Sequence, residues 1–213
     1  ALPAVPMQAE DRAAFSAQIR GMWRSLCAAP RYALMLAADA LVDVTGQTVT
    51  VFLSQLAYVR CGLSGAQLGA AYLGMTLVGL MQGASYKATH ALGRRGFGLV
   101  ACALMAAACG GLCLARGPLW CVACVWCVQL CWCLWQPFAQ TMHNDSVRLG
   151  ARSVVLSGYS MAQSFAMSGL NLGLGRLADV RLPLAFAAAG AFCMLALVLA
   201  ALYFRQNKKG CVS

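Results

Sequence analysis

Two carboxylates stand inside an apolar run. Asp39 and Asp43 lie four residues apart within the segment 33–58, which is otherwise dominated by Ala, Leu, Val and Met. An ionised side chain at the centre of a hydrocarbon layer costs roughly 2.5–3.5 kcal/mol on insertion scales, so its position carries information. A spacing of four puts both groups on one helix face, one turn apart. Gln47, Thr50 and Ser54 follow on that face. At about 100° per residue the five side chains span an arc of roughly 80°. The simplest environment for such a stripe is a water-filled cavity. Desolvation and mutual repulsion both oppose full ionisation of the pair. Carboxylates placed in this way can carry a proton or meet a cationic solute. The alternative is structural pairing with an arginine near the cytoplasmic end, Arg152 or Arg31.

Three further segments carry polar faces. In 153–174, Ser153, Ser157, Ser160, Ser164, Ser168 and Asn171 share one side. Small hydroxyl residues serve close helix packing as well as a polar path. In 118–139, Gln129 and Gln136 align with Gln140 just beyond, and Trp126, Trp132 and Trp135 lie nearby. That set suits a substrate pocket, or an interhelical hydrogen bond with interfacial Trp anchors. In 64–86, Tyr72, Thr76 and Gln82 are polar, and Gly65/Gly69 and Gly79/Gly83 form two small-xxx-small pairs that predict close helix contact. The segments 97–115 and 182–204 hold almost only Gly, Ala, Cys, Met and large apolar residues, which predicts a peripheral, lipid-facing position.

Other chemistries fail on residue type. Cys121, Cys124, Cys127 and Cys131 have the spacing of an iron–sulfur ligand run, but they lie in a Trp-rich apolar segment rather than a loop, and Trp132 stands where such runs have proline. Cysteine there is expected to act as a small hydrophobe. A rhomboid-type protease needs G-x-S-G and a later histidine. Gly158-Tyr159-Ser160-Met161 lacks the final glycine, and no histidine follows His143. His90 and His143 both fall in predicted cytoplasmic connections. No HExxH or phosphate-cradling glycine loop occurs, so neither enzyme activity nor a metal or cofactor is expected.

The elements that must position these residues follow from composition. Of 213 residues, 61% are hydrophobic and only 10% charged, against about 25% charged in soluble domains. Lipid is therefore the expected solvent for most of the chain. Six segments are long enough to cross it: 33–58, 64–86, 97–115, 118–139, 153–174 and 182–204. The net charge of +10 comes from basic residues between these runs, not from a stripe interleaved with aromatics, so no nucleic-acid partner is expected. Counting connections alternately, Arg12, Arg20, Arg24, Arg31, Lys87, Arg94, Arg95, Arg148, Arg152, Arg205, Lys208 and Lys209 fall on one side. Only Arg60, Arg116, Arg176 and Arg181 fall on the other. The positive-inside bias predicts a multi-pass plasma-membrane protein with both termini cytoplasmic.

Residues 1–30 form a cytoplasmic or interfacial segment in this reading. Phe15, Ile19, Met22, Trp23 and Leu26 recur at helical spacing between arginines, as in an amphipathic surface helix or a linker that docks two halves. No cleavable signal peptide is read there, and the first residue, Ala1, points to a fragment or a processed product. The membrane domain is 31–205, and 206–213 is a polar cytoplasmic tail expected to be disordered.

Three places resemble the C-terminal six-helix half of a major facilitator superfamily transporter. Gly83 followed by Leu92-Gly93-Arg94-Arg95-Gly96-Phe97 is similar to that family's G-x-x-x-D-R-x-G-R-R loop, with Lys87 where the family has Asp and a longer spacing to the Arg pair. Asn144 with Arg152-Ser153-Val154-Val155-Leu156-Ser157 resembles the start of its eleventh helix, and Gly175-Arg176-Leu177-Ala178-Asp179 the end of that helix. The resemblance covers roughly residues 20–205. It implies an all-α, polytopic fold in which segments one, two, four and five line a central cavity. It also implies secondary transport of a small solute, and a partner in the form of an N-terminal six-helix half or a second copy. On this reading Asp43 and Asp39 couple protons or cations. Gln47, Thr50, Tyr72, Thr76, Gln129, Gln136, Ser160 and Ser164 line the substrate cavity, and Gly83, Lys87, Gly93, Arg94 and Arg95 form a gating loop. A multidrug or metabolite porter driven by the proton gradient fits these features. A non-transporting remnant or assembly partner is the alternative.

Overall fold

The structure is a computed structural model that describes residues 30–146 and 152–209. The described residues are helical apart from short connections. Helix α1 (Pro30–Gln47) passes through a π-helical stretch, Thr48–Leu53, into α2 (Ser54–Arg60). Helix α3 (Gly65–Gly79) continues through a 3-10 stretch, Leu80–Ala84, into α4 (Ser85–Cys113). Helices α5 (Pro118–Ser146), α6 (Arg152–Val180) and α7 (Leu182–Lys209) complete the chain. The interfacial helix expected at 7–29, Arg148 and the tail from 210 onward lie outside the described residues. Within the expected tail, Asn207, Lys208 and Lys209 are helical and prolong α7.

Local sequence explains the boundaries. Ser64 and Gln67 form a reciprocal capping box that starts α3: Ser64 N–H donates to Gln67 Oε1 at 2.9 Å, and Gln67 N–H donates to Ser64 Oγ at 3.4 Å. Pro118 opens α5, where its missing N–H costs nothing. The π-helical stretch begins with a β-branched run, Thr48-Val49-Thr50-Val51, of weak α-helix preference.

Four helical stretches are long and apolar enough to cross a membrane: Ala33–Arg60, Gly65–Cys113, Pro118–Asp145 and Leu182–Gln206. The second has 49 residues, about 74 Å at 1.5 Å per residue and more than twice a bilayer core. It does not run straight. Gly93 takes φ 71° and ψ 155°, a conformation favoured for glycine and outside the helix basin. Before Gly93 the chain runs parallel to α5: Ala71 meets Trp126, and Ser85 meets Leu134. After Gly93 it runs antiparallel: Phe97 meets Phe138, and Gly111 meets Trp120. The chain therefore reverses direction at Gly93. The residues expected to form a gating loop, Gly83, Lys87, Gly93, Arg94 and Arg95, lie in helical stretches interrupted at Gly93.

The core is a seam of small and apolar side chains. Met35, Ala38 and Val42 of α1 meet Cys102, Met105 and Cys109 of α4, Val125 and Val128 of α5, and Ala189, Cys193 and Ala196 of α7, all buried. Small residues let the helix backbones approach. The second half of α4 and α7, expected at the periphery, each keep one face in this seam. Each turns another outward, with Val100 and Leu104 on α4 and Met194, Leu195 and Val198 on α7. The glycine pairs differ from expectation. A Cβ at Gly65, Gly69 or Gly83 would meet open space, and one at Gly79 would make ordinary contact with Gln129 at 3.5 Å. The tight approaches are at Gly74, against Trp126, Gly46, against Trp132, and Gly111, against Cys124. Side chains, two of them indoles, fill the space those glycines leave.

Candidate functional site

Both carboxylates of α1 point at α5. Trp135 Nε1 donates to Asp39 Oδ1 at 2.7 Å, and Trp132 Nε1 donates to Asp43 Oδ1 at 2.7 Å. Gln136 Nε2 also donates to Asp43 Oδ1. The helical repeat makes this possible: positions 132, 135 and 136 share one face of α5, and 39 and 43 share one face of α1. The indoles that could have anchored at an interface are instead internal donors, and Trp135 is fully buried.

The second oxygens face elsewhere. Asp39 Oδ2 lies 2.8 Å from His143 Nε2 and accepts from Gln163 Nε2 at 3.1 Å. The same Gln163 amide reaches Asp43 Oδ2 at 3.5 Å, so one side chain of α6 spans both acids. Asp39 is only 5% exposed. A buried carboxylate persists when hydrogen bonds and an opposite charge replace its water. Three donors converge on each acid here. The side chains of Arg31 and Arg152, considered above as partners of the acids, lie outside the described ones; at Asp39 the partner seen is His143. That histidine is not in a connection: it sits on α5, 14% exposed, facing the cavity.

These groups open onto a cavity of about 280 Å³ between α1, α5 and α6. Gln136, Gln140, His143 and Asn144 line it from α5, and Ser160, Gln163 and Ser164 from α6. Compared with known proteins, the chain matches no family model, no curated protein and no solved structure. Its chemistry therefore rests on these residues alone.

The expected cavity set divides in two. Asp39, Asp43, Gln136, Ser160 and Ser164 come together around the cavity. Thr50, Tyr72, Thr76 and Gln129 belong to other contacts. Thr50 Oγ1 donates to Gly46 O at 2.7 Å, and Ser54 Oγ donates to Thr50 O at 2.6 Å while lying 3.1 Å from Tyr72 Oη. Thr76 Oγ1 donates to Tyr72 O at 3.0 Å, and Gln129 Nε2 lies 3.2 Å from Cys133 Sγ. Tyr72, Thr76 and Gln129 stand on α3 and α5 with partners of their own, and for Thr50 and Ser54 on α1 the physical reason is the π-helical stretch. Its i→i+5 bonding makes a wider turn than the 100° step assumes, so residues after Gln47 lag around the axis. Gln47, half-buried and ahead of that stretch, does not line the cavity either, so the single stripe expected along α1 ends at Asp43 and turns farther from it beyond Gln47. Thr48 Oγ1 meets Asn171 Oδ1, which ties the stretch to α6.

Of the gating-loop residues, Arg94 forms an ion pair with Asp145 at 2.8 Å, joining the chain reversal to the end of α5. Gly83, Lys87, Gly93 and Arg95 are exposed. Cys121, Cys124 and Cys131 are buried and Cys127 half-buried along one continuous helix, where they pack as apolar groups. Sequence reasoning missed His143 and Gln163. Both carried a usable signal: Gln136, Gln140 and His143 recur at helical spacing on α5, and Gln163 is flanked by Ser160 and Ser164 on α6.

Proposed function

We propose that the chain is a six-crossing half of a proton-coupled secondary transporter for a small solute, in the plasma membrane with both termini cytoplasmic. The observation that carries this reading is the pair of acids on α1, held by donors from α5 and α6 and open to a polar cavity inside an apolar bundle. A bilayer protein retains groups of this kind along ion and substrate pathways. The reversal at Gly93 supports six crossings. It brings Arg94, Arg95, the end of α5 and the end of α7 to one end of the bundle, where the basic residues concentrate. Asp43 serves as the coupling acid, and Asp39 assists it. The solute sits among Gln136, Gln140, Ser160, Gln163 and Ser164. Rocking against a second six-helix unit would expose the cavity to each side in turn, and the resemblance to the major facilitator superfamily agrees with that architecture. The outward apolar face of α3, with Leu73 and Leu77, and that of α6, with Phe165 and Leu172, offer a surface for that unit. Those faces also favour the second reading, a membrane assembly partner that transports nothing itself.

Proton-driven solute uptake into vesicles decides between these readings. Asp43→Asn should abolish coupled flux while leaving the protein folded. Undiminished flux in that variant removes Asp43 from the mechanism, and absence of flux in the unsubstituted protein with any second six-helix unit favours the assembly partner.

A further inference from the structure

We propose that the cavity binds a hydrophilic solute carrying a single ammonium group, and that this group takes the place of a proton on Asp43. This rests on the reading of the cavity as a solute site and adds the class of solute and the number of charges it may bear.

The argument is a charge count. Among the described residues, the acids at the cavity are Asp39 and Asp43, and the basic side chain is His143. His143 lies 2.8 Å from Asp39 Oδ2. That contact makes His143 the ion-pairing partner of Asp39 rather than of Asp43. The groups that touch Asp43 carry no charge: Trp132, Gln136 and Gln163. Among the described residues, α6 gives the cavity Ser160, Gln163, Ser164 and Met167, none of them charged. On the far face of α1, Thr45 meets Ala189 O and Cys193 of α7, which add no charge to the cavity. One carboxylate is left to be answered, and one positive charge answers it.

The geometry chooses between kinds of cation. Asp43 Oδ1 is occupied by two donors, whereas Oδ2 receives only the stretched 3.5 Å approach of Gln163. A bond of that length is close to the limit of a hydrogen bond, so Oδ2 is the natural acceptor for an ammonium N–H. Trp132 and Trp135 offer the acids their N–H edges, and neither ring lines the cavity. The aromatic faces that recognise quaternary or lipophilic cations are thus not presented. The lining is instead amide and hydroxyl: Gln136, Gln140, Asn144, Ser160, Gln163 and Ser164. Buried polar groups of that kind favour a solute that returns their hydrogen bonds and penalise one that cannot.

The test uses the full chain in lipid nanodiscs, with no gradient, and four probes. N-methylglucammonium is a hydroxylated monocation, and sorbitol is its neutral counterpart. Putrescine is a dication, and tetraphenylphosphonium is lipophilic and lacks an N–H. N-methylglucammonium should bind, tighten as pH rises, and release one proton per molecule bound in weakly buffered solution. Sorbitol and tetraphenylphosphonium should bind about tenfold or more weakly, the factor expected for losing one charge-assisted hydrogen bond. Asp43→Asn should remove both binding and proton release, and Asp43→Glu should retain them. His143→Gln, which can still donate to Asp39, leaves two uncompensated acids and should shift preference toward putrescine. His143→Asn serves if the Gln variant is not monodisperse. Equal binding of sorbitol, binding without proton release, or an unchanged mono- to dication preference in the His143 variant overturns the proposal. Binding as expected with no flux in vesicles would retire the transport reading and keep the solute class. Asp43-dependent flux of some other solute would do the reverse.

Discussion

Substituting Gly46 by alanine should dismantle the site from behind. A Cβ at Gly46 would fall inside the Trp132 indole, whose N–H holds Asp43 Oδ1. Alanine would force that ring aside. Overpacking of this kind costs about 1–3 kcal/mol. Displacing the ring also breaks a hydrogen bond to a carboxylate, worth roughly 1.5–3 kcal/mol. Against these stands the better helix preference of alanine, about 1 kcal/mol. The net expectation is a destabilisation of about 3 kcal/mol, with weaker engagement of Asp43. Gly69→Ala is the matched control, because its Cβ would meet open space. It should be neutral or stabilising by up to about 1 kcal/mol. Thermal unfolding of the detergent-solubilised protein reads stability, and indole emission reads the displacement of Trp132. The double variant Gly46→Ala with Trp132→Leu completes a cycle: with the ring gone, the penalty of the alanine should largely vanish, giving a coupling energy of about 2 kcal/mol or more. If Gly46→Ala is as stable as Gly69→Ala, or its penalty survives removal of the ring, the packing argument is wrong.

Other consequences come from single contacts. Ser85→Ala removes the 2.6 Å hydrogen bond from a 2%-exposed hydroxyl to Leu134 O, and a loss of about 1 kcal/mol is expected in the same melts. Arg94→Ala breaks an ion pair whose partners are 57% and 51% exposed. Its effect on stability should stay below about 1 kcal/mol and fade in salt, so a large loss would point to a role beyond pairing. Alkaline phosphatase fused after Arg116 should be active outside the cell, while a fusion after Arg95 should be inactive. Equal activities would count against the proposed six crossings. Gln163→Leu removes the one amide that reaches both acids, and it should weaken cation binding while Gln163→Asn recovers part of it.

The helical class and the apolar runs were legible in residue order, and four helical stretches long and apolar enough to cross a membrane appear among the described residues. An acid inside such a run is conspicuous because a charge is costly in apolar surroundings. The two acids stood out for that reason. Local chemistry was legible too, in the cap at Ser64 and the opening proline of α5. Other features were decided only by the tertiary structure. The stripe on α1 was extrapolated at one fixed angle, but the π-helical stretch from Thr48 to Leu53 rotates every later side chain about the helix axis. Thr50 and Ser54 therefore leave the cavity that Asp39 and Asp43 enter. The glycine pairs were read as helix contacts, yet what fills a glycine's space depends on the facing side chain, and at Gly46 and Gly74 that is an indole. Which donor meets a buried acid cannot be computed from spacing within one helix. Asp39 finds His143 and Gln163, more than one hundred residues away along the chain, because three helices meet there. Periodicity gives each helix its polar face, and only the packing of helices decides which polar faces share a cavity.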